Sequence, residues 1–305
     1  MILFDRSGNQ HVLPSNAVAI VDSVDLVLHA PGGPVVVRGG VRNGNELTDS
    51  GVFVLRRHGL LSTLFDSDVA DWYLDGEEFA EDADAAMDLV TRTAESLAKP
   101  VLDCCCGFGR LSVKMLARGA EVYGVDISER SVEEALAATE TAGYDESFHP
   151  VVADIANFGM PGFFGAAISV ANSLRYLGSI GRISRHLHLM GQSLVPGAVY
   201  VLEVDTNSTV GGATWRIPHG EMTWEVLSVD TFAQESTERV TIRDPNGTVL
   251  HRELQSQVAI DSTQLTDLAL RAGFTLREAW DKHRKPIEKT DLAGYEGNVW
   301  YVFDR

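Results

Sequence analysis

Basic residues are scarce in this chain of 305 residues, in which 25 Lys and Arg stand against 43 Asp and Glu and the formal net charge is −18. An acidic chain of this kind repels phosphate backbones and anionic lipid headgroups, so we expect it to bind neither nucleic acid nor a membrane surface. Long apolar runs are also missing, because no stretch approaches the roughly 18 residues that a membrane helix requires. The segment 1–6 lacks the basic and then apolar pattern of a secretory leader, which indicates a cytoplasmic protein.

Cysteine is nearly absent as well, since the chain has three, and these are consecutive at positions 104, 105 and 106. On a strand or in a tight loop the side chains of Cys104 and Cys106 lie about 6 to 7 Å apart on one face. That separation disfavours a disulfide between neighbours and a closed metal site, so we expect no bound metal. Small apolar thiols in a reducing compartment are the expected state.

Apolar residues, in contrast, are plentiful, with hydrophobic types making up 45% of the chain and charged types 22%. A chain of this length buries about two-thirds to three-quarters of its unfolded surface. The composition therefore excludes disorder as the general state and fits one large domain or two small ones.

The N-terminal part of the sequence favours short strands. Apolar runs at 17–21, 24–28, 35–37 and 52–55 are separated by turns rich in Gly, Pro and Asn. We therefore expect a β-rich N-terminal cap over residues 1–62. A contact in a homodimer and a partial lid are its two functional interpretations, and a decorative subdomain is the structural one.

The stretch 63–100 is strongly acidic and has helical periodicity. It holds eleven Asp or Glu residues against Arg92 and Lys99, and its apolar positions follow the spacing of an amphipathic helix. Such a run usually forms a solvated helix face, which is how we interpret it.

Strands and helices alternate after Pro100. Strands are expected over 101–104, 121–126, 149–153, 165–170 and 199–204, and helices over 111–118, 131–142 and 180–194. Right-handed crossovers of this length produce a parallel, doubly wound sheet, so the sequence predicts an α/β fold.

Beyond residue 206 the pattern switches to strands alone. Alternating polar and apolar residues and the hairpin signal Asp244-Pro245-Asn246-Gly247 predict an antiparallel β insertion at about 207–261. A helix over 262–272 then leads to strands over 274–280 and 299–303, which would complete a seven-stranded, mostly parallel sheet.

A glycine-containing loop follows the first strand of this sheet. Gly107 and Gly109 let the backbone approach a ligand closely and point helical N–H groups at it. Asp126, at the end of the second strand, can accept hydrogen bonds from both hydroxyls of a ribose. The loop and the acid together predict a nucleoside site at the carboxyl edge of the sheet.

Two ligand classes fit this arrangement. A dinucleotide would use residues 107–112 as a degraded G-x-G-x-x-G with Ser112 in the third place. Asp103, however, puts a negative charge at the mouth of the loop, where a pyrophosphate would be repelled. S-adenosylmethionine has no phosphate and carries an ammonium and a sulfonium, so the same charge favours it.

The stretch 101–110 resembles the first motif of the class I S-adenosylmethionine-dependent methyltransferases, which reads roughly hydrophobic-hydrophobic-Asp-x-Gly-x-Gly-x-Gly. Cys105 departs from it by standing where the first glycine usually lies, and this Cys-Cys-Gly-x-Gly-Arg form is similar to one found in small-molecule members of the family. The resemblance extends over residues 63–305 and implies a methyltransferase domain with a Rossmann-like fold.

The resemblance implies roles for individual residues. Loop residues would cradle the cofactor, the second strand end would hold the ribose, the third would hold the adenine, the fourth would face the methionine end, and two aromatic residues would fold over the ligand. The residues expected to bind S-adenosyl-L-methionine are Trp72, Tyr73, Asp103, Cys104, Cys105, Gly107, Gly109, Asp126, Ile127, Asp154, Ile155 and Asn172.

The implied reaction is an in-line displacement that moves a methyl group to an N or O atom of a small-molecule acceptor. A general base is optional, because the sulfonium already activates the methyl carbon and alignment supplies much of the catalysis. Candidates by position are Tyr176 after the fourth strand, Glu203 and Asp205 at the end of the fifth, and His219 in the insertion. The loop 215–220 would suit a small polar acceptor, and an exposed hairpin loop is the equally weighted alternative.

Two alternatives of other classes remain at this point. The chain could be a non-catalytic, cofactor-binding regulatory protein of the same fold, since the motif argues for an occupied site and leaves turnover open. It could also be an NAD-dependent oxidoreductase, if the glycine loop held a pyrophosphate.

Overall fold

The computed structural model describes residues 2–4, 10–12, 18–30, 33–48, 51, 55, 88, 90 and 99–305. Nearly all of the acidic stretch interpreted as a helix lies outside the described residues, and so do Trp72 and Tyr73. No helix among the described residues is long and apolar enough to span a membrane.

Seven short strands lie among the described residues of the N-terminal part, and those at 18–21, 25–30 and 33–37 match predicted strands. They are β1 Ile2–Phe4, β2 Gln10–Val12, β3 Val18–Val21, β4 Asp25–Ala30, β5 Gly33–Val37, β6 Val41–Arg42 and β7 Glu46–Leu47. They form a sheet in the order β2-β1-β7-β6 and an antiparallel sheet in the order β3-β4-β5, around buried Leu3, Leu26 and Leu28. Leu55 is helical, so the strand expected over 52–55 is wrong at that residue, and the cap boundary at residue 62 stays a prediction.

The rest of the chain alternates as expected and then turns to strands. Its strands are β8 Val101–Cys104, β9 Val122–Asp126, β10 Phe148–Val152, β11 Phe164–Ser169, β12 Leu194–Thr206, β13 Gly211–Ile217, β14 Gly220–Asp230, β15 Glu235–Arg243, β16 Val249–Val258, β17 Thr275–Asp281 and β18 Gly297–Asp304. Its helices are α1 Arg110–Leu116, α2 Glu129–Thr141, α3 Ile180–Ser193 and α4 Ser262–Arg271, and a 3₁₀ helix spans Ser173–Leu177.

A seven-stranded sheet forms the centre, in the order β10-β9-β8-β11-β12-β18-β17. The strands β10, β9, β8, β11 and β12 are mutually parallel, and β18 runs antiparallel to both of its neighbours. Every residue of β8 and of β11 is buried, because helices cover both faces of a parallel sheet. The predicted doubly wound α/β fold is thereby confirmed, and its strand order reverses between β8 and β11, where such folds bind ligands.

Side-chain caps start three of the helices α1 to α4. The hydroxyl of Ser128 accepts the N–H of Ser131 at α2, the hydroxyl of Ser179 accepts that of Arg182 at α3, and Asp261 caps α4. α1 differs, because its N-cap is Gly109 in the left-handed conformation with no side-chain cap. The helix that leaves the glycine loop therefore presents its first N–H groups without a competing side chain.

A four-stranded antiparallel sheet, in the order β13-β14-β15-β16, follows β12. Along β15 the buried positions Ser236, Glu238, Val240 and Ile242 lie on one face, which we call the inner face. The expected antiparallel insertion is thus present. The loop expected at 215–220 is strand through Ile217, because residues 211–217 pair with β14, and the turn is confined to 218–219.

Gly109 allows α1 and α2 to pack closely. A Cβ atom at this position would lie 2.9 Å from the Cβ atom of Ala135 on α2, and its φ of +78° is in the left-handed region. We expect Gly109→Ala to lower the free energy of unfolding by about 2 to 4 kcal/mol, because backbone strain and overpacking add. Urea titration followed by circular dichroism measures the loss.

The control is Gly119→Ala, which has a φ of +84° and no atom within 4 Å of the added Cβ. It carries the backbone strain without the contact. Equal losses in the two variants would show that the contact with Ala135 does not constrain the loop.

Candidate functional site

The glycine loop leaves β8 through three left-handed residues, Cys105, Gly107 and Gly109, with φ of +59°, +53° and +78°. Cys105 adopts the conformation that a glycine would take without strain, so the loop keeps its path although the first glycine of the motif is replaced. A Cβ atom at Gly107 would meet no atom of the described residues within 4 Å. Among these residues the backbone at Gly107 therefore leaves room for the close approach of a ligand.

Asp126 connects this loop to the end of β9. Its Oδ2 accepts the N–H of Gly107 at 3.0 Å, and its Oδ1 accepts the N–H of Ser128 at 2.9 Å. The carboxylate is half-buried, as is the adjacent Ile127. The predicted ribose-binding acid thus lies directly beside the predicted cofactor loop.

Asp103 lies below the loop rather than at its mouth. Its side chain is 2% exposed, and its Oδ2 accepts the hydroxyl of Ser112 on α1 at 2.6 Å. Burial raises the pKa of Asp103 to about 7, with a smaller contribution from Asp126, while Ser112 and Arg110 oppose the shift. Asp103 therefore exerts less electrostatic influence on a ligand than the sequence argument assumes, and Asp126 is the more exposed carboxylate at the loop.

The three thiols are free and serve as packing. Cys104 and Cys106 are buried, with the sulfur of Cys104 4.0 Å from that of Met190 on α3. Burial raises the pKa of all three thiols, so they stay protonated at neutral pH. Cys105 is half-buried and is the thiol nearest to solvent.

Asp154 follows β10, and both of its carboxylate oxygens accept hydrogen bonds. Its Oδ2 accepts Arg182 Nη2 at 2.7 Å and Asn157 Nδ2 at 2.6 Å, and its Oδ1 accepts the N–H of Ala156 at 2.9 Å. Sequence reasoning missed Arg182, which comes from α3 and is distant along the chain. Asp154 thus orders the loop that would border an adenine, and Ile155 beside it is buried.

His186 on α3 fixes the same loop from below. It is fully buried, its Nδ1–H donates to the carbonyl oxygen of Ile155 at 2.9 Å, and its Nε2 accepts the hydroxyl of Tyr200 at 2.6 Å. Burial lowers the pKa of His186 to about 4, so the ring is neutral in this hydrogen-bonded role. The sequence signal that could have indicated it is a histidine on the apolar face of α3.

The ends of β11 and β12 are joined by side-chain contacts. Asn172, with a φ of +59°, accepts the N–H of Asp205 through its Oδ1. Glu203 is 6% exposed, and its two oxygens accept the N–H of Ala171 at 2.6 Å and Nδ2 of Asn298 at 2.8 Å. Glu203 is therefore engaged in holding the loop that carries Asn172.

Two other catalytic candidates lie in different surroundings. The hydroxyl of Tyr176 donates to Oε1 of Gln255 on β16 at 2.9 Å, which places it against the antiparallel sheet. His219 is exposed in the turn between β13 and β14. Tyr176 thus lies against β16, whereas His219 lies in a different turn of the antiparallel sheet.

A buried arginine that the sequence analysis missed links the two sheets. Arg175 is 1% exposed, and its Nη2 donates to Glu238 Oε1 at 2.5 Å and to Ser236 Oγ at 2.8 Å. Its Nε donates to the carbonyl oxygen of Val258 at 3.0 Å, and its Nη1 lies 3.5 Å from Oδ2 of Asp205. One side chain from the 3₁₀ helix thus contacts β12, β15 and β16.

Glu238 is equally well enclosed. It is 1% exposed, its Oε2 accepts Nε1 of Trp224 at 2.6 Å, and its Oε1 also accepts the hydroxyl of Ser236 at 2.7 Å. A buried ion pair survives in a protein interior when its remaining polar atoms are hydrogen-bonded, as they are here. The pair attaches the inner face of the antiparallel sheet to the central sheet.

Known methyltransferases resemble the part of the chain that contains the glycine loop. Residues 101–197 match a protein-family model described as a methyltransferase domain. A stretch of 80 residues, 26% of this chain, is 34% identical to the ubiquinone biosynthesis O-methyltransferase of Chromobacterium violaceum. The match covers 34% of that protein, so this chain spans about a third of the length of the curated relative.

Solved structures resemble a larger part of the chain. The CcbJ methyltransferase from Streptomyces caelestis has a TM-score of 0.62 at 18% identity and covers 73% of this chain and 94% of its own. An S-adenosylmethionine-dependent methyltransferase from Clostridium acetobutylicum has a TM-score of 0.60 at 14% identity, with coverages of 75% and 92%. At these identities the likeness establishes the fold, and it is the Rossmann-like methyltransferase fold that the sequence predicts.

The buried pair of Arg175 and Glu238 makes a testable contribution to stability. We expect Arg175→Met to lower the free energy of unfolding by about 3 to 5 kcal/mol, because it leaves a buried carboxylate without its cation. Adding Glu238→Gln to the same chain should recover much of the loss. Urea unfolding of the two single variants and the double variant measures the coupling.

The matched control is Arg239→Met, which breaks the half-exposed pair of Arg239 and Glu225 on the same sheet. Its effect should be much smaller, since solvent screens that pair. Comparable losses for Arg175→Met and Arg239→Met would contradict a special role for the buried pair.

The raised pKa of Asp103 predicts a pH-dependent difference in stability. Between about pH 4 and pH 7 the folded protein keeps a proton on Asp103 that the unfolded chain releases, so the contribution of Asp103 to the free energy of unfolding falls as the pH rises. Asp103→Asn keeps an acceptor for Ser112 but cannot ionise. We expect the advantage of this variant over the wild type to grow by up to about 4 kcal/mol between pH 4 and pH 8.

Urea unfolding across this pH range measures the difference. Asp267→Asn, at an exposed position of α4, is the control and should show no such trend. A constant difference between Asp103→Asn and the wild type would mean that Asp103 ionises normally.

Proposed function

We propose that this protein transfers a methyl group from S-adenosyl-L-methionine to an N or O atom of a small-molecule acceptor. The observation that carries the proposal is the pairing of Asp126 with the N–H of Gly107 at the point where the strand order reverses. This is the place where a doubly wound sheet binds a nucleoside, and it lies within the part of the chain that matches the methyltransferase domain model.

The residues around the loop suit a nucleoside without phosphate. The room at Gly107 among the described residues admits a ligand close to the backbone, and Asp126 can exchange a backbone donor for ribose hydroxyls. Asp126, the more exposed carboxylate at the loop, puts a negative charge beside the N–H of Gly107, which disfavours a pyrophosphate. The similar proteins include an O-methyltransferase and an S-adenosylmethionine-dependent methyltransferase, which agrees with this choice.

We assign the cofactor contacts by element. The loop would contribute Cys104, Cys105, Gly107 and Gly109, with Asp103 supporting it from below. The ends of β9, β10 and β11 would contribute Asp126 and Ile127, Asp154 and Ile155, and Asn172. The predicted contacts of Trp72 and Tyr73 lie outside the described residues and stay predictions.

When bound, S-adenosyl-L-methionine supplies a methyl carbon already activated by the sulfonium. The task of this chain is then to orient the acceptor and to keep water out. Holding the reacting atoms in line can supply on the order of 7 to 11 kcal/mol. The contacts of Glu203 with the loop at Ala171, and of Asn172 with Asp205, provide a rigid frame for that alignment.

The catalytic candidates differ in what they can do. Tyr176 faces the antiparallel sheet through Gln255 and can contact an acceptor there. Glu203 acts through the loop that it holds, so we regard it as a positioning residue. His219 lies in an exposed turn, and we assign it no part in the reaction.

The proposed location of the protein is the cytoplasm. The buried free thiols suit a reducing compartment, where they would stay unpaired. The proposed partner is a small-molecule acceptor, because the net charge of −18 opposes a polyanionic substrate.

Calorimetry with S-adenosyl-L-methionine and with NAD tests the proposal. We expect the first to bind and Asp126→Ala to weaken its binding by about 1 to 3 kcal/mol, the cost of leaving ribose hydroxyls unpaired. Asp267→Ala serves as the control and should bind normally. Unchanged affinity in Asp126→Ala would remove the ribose role, and a preference for NAD would indicate an oxidoreductase.

A release assay for S-adenosylhomocysteine then separates an enzyme from a regulatory protein of the same fold. The assay uses labelled S-adenosyl-L-methionine and an extract of small metabolites. Formation of a labelled metabolite is the expected result. Tight cofactor binding without any labelled product would favour the regulatory alternative.

A further inference from the structure

Asp205 lies where the central sheet and the antiparallel sheet meet. It is the second-last residue of β12, and its backbone N–H is held by Asn172 from the end of β11. Ligands of doubly wound sheets bind outside the carboxyl ends of the strands. The carboxylate of Asp205 is therefore at the edge where an acceptor must meet the methionine end of the cofactor.

Asp205 differs from the neighbouring acids in how far its carboxylate is engaged. Glu203, Glu238 and Asp154 are 6%, 1% and 7% exposed, and both oxygens of each accept hydrogen bonds. The side chain of Asp205 is 27% exposed, and its Oδ2 lies 3.5 Å from Nη1 of Arg175. This acid is oriented by a cation and remains partly exposed to solvent.

The charges around Arg175 favour a ligand of positive charge. One guanidinium faces two carboxylates, Asp205 and Glu238, so the three ionised side chains sum to one negative charge. Glu238 takes the close contact with Arg175, at 2.5 Å, and leaves Asp205 with the longer one. A cationic group beside Asp205 would balance the cluster, whereas an anionic acceptor would be repelled.

We propose that Asp205 binds the acceptor and that the acceptor is a small amine, protonated in solution, which pairs with this carboxylate beside the inner face of β15 and β16. The proposal rests on the methyl-transfer function proposed above and names its substrate class. Arg175 is the positioning residue, because it holds Asp205 while Glu238 anchors Arg175 in the interior.

The proposed reaction consists of a proton transfer followed by a methyl transfer. The ammonium of the acceptor transfers one proton to the carboxylate of Asp205, which frees the lone pair of the nitrogen. The nitrogen then forms a bond to the methyl carbon as the bond between that carbon and sulfur breaks. The sulfonium becomes a neutral thioether, and the positive charge resides on the methylated amine.

The surroundings of Asp205 favour this proton transfer. Burial raises the pKa of Asp205, Arg175 opposes the shift, and Glu238 adds to it. Tyr301 on β18 faces the same group, and its own raised pKa has a small contribution from Asp205. A carboxylate with a raised pKa is a better proton acceptor for an amine than an ordinary aspartate.

The experiment uses a panel of small primary and secondary amines, each paired with the alcohol of the same carbon skeleton. Turnover is followed by S-adenosylhomocysteine release from the full chain saturated with S-adenosyl-L-methionine. We expect turnover with members of the amine series and none with their paired alcohols. Asp205→Asn should lower kcat/KM for the best amine at least about 100-fold, and Asp205→Glu should restore part of it.

The controls separate binding, folding and chemistry. Asp205→Asn should leave the Kd for S-adenosyl-L-methionine and the Tm nearly unchanged, since the amide oxygen of Asn can still accept a hydrogen bond from Arg175 and the repulsion between Asp205 and Glu238 is removed. Asp267→Asn should behave as the wild type in every assay. In the wild type, kcat/KM should fall at low pH as Asp205 takes up a proton, and this limb should be missing from the residual activity of Asp205→Asn.

Three results would overturn the proposal. These are preferred turnover of the alcohols, absence of turnover with the whole amine series although the cofactor binds, and full activity of Asp205→Asn. Failure to bind S-adenosyl-L-methionine at all would instead reject the methyl-transfer function. The two failures are therefore distinguishable by calorimetry alone.

Discussion

The buried ion pair of Arg175 and Glu238 is the constraint on which the arrangement of the two sheets depends. Taking two charges out of water is costly, and the cost is tolerated here because each remaining polar atom finds a partner. Ser236 and Trp224 complete the shell of Glu238, and Val258 and Asp205 that of Arg175. The directional hydrogen bonds of Arg175 to Glu238 and Ser236 hold the 3₁₀ helix against β15.

The region proposed for the cofactor, around the loop after β8, differs from the region around Arg175. There the backbone shapes the surface, through the left-handed residues of the loop and the first turn of α1, which has no side-chain cap. Side chains act mainly by holding backbone segments, as Asp126 holds Gly107 and His186 holds Ile155. The region that we propose for the acceptor is thus defined by ionised side chains, and the region that we propose for the cofactor is defined by backbone geometry.

The sequence predicts the local features well. Apolar runs with glycine and serine boundaries place α2, α3 and α4 within about two residues of their observed ends, because caps and periodicity are short-range signals. The seven-stranded sheet follows from the alternation of strands and helices. β13 is missed, since its Gly-Gly-Ala-Thr sequence lacks the apolar alternation of a typical strand, and so are the very short strands β1, β2, β6 and β7.

Long-range contacts are what the sequence does not predict. Arg175 and Arg182 reach acids 63 and 28 positions away, and no pattern in the chain connects them. The aspartate at position 103 predicts a charge at the mouth of the loop. Its side chain is instead buried, because β8 lies in the interior and Ser112 donates a hydrogen bond to the carboxylate. Burial decides the ionisation of such a group, and burial is a property of the assembled fold.

The consecutive thiols allow the opening rate of the sheet around β8 to be measured by chemical labelling. Cys104 and Cys106 are enclosed and protonated in the native state, so a thiol-specific reagent can react with them after the sheet around β8 has opened. Their labelling rate, resolved residue by residue in a mass spectrometer, would report how often the first strand of the sheet separates from its neighbours. Ligand occupancy of the adjoining crevice would register as a slowing of that rate.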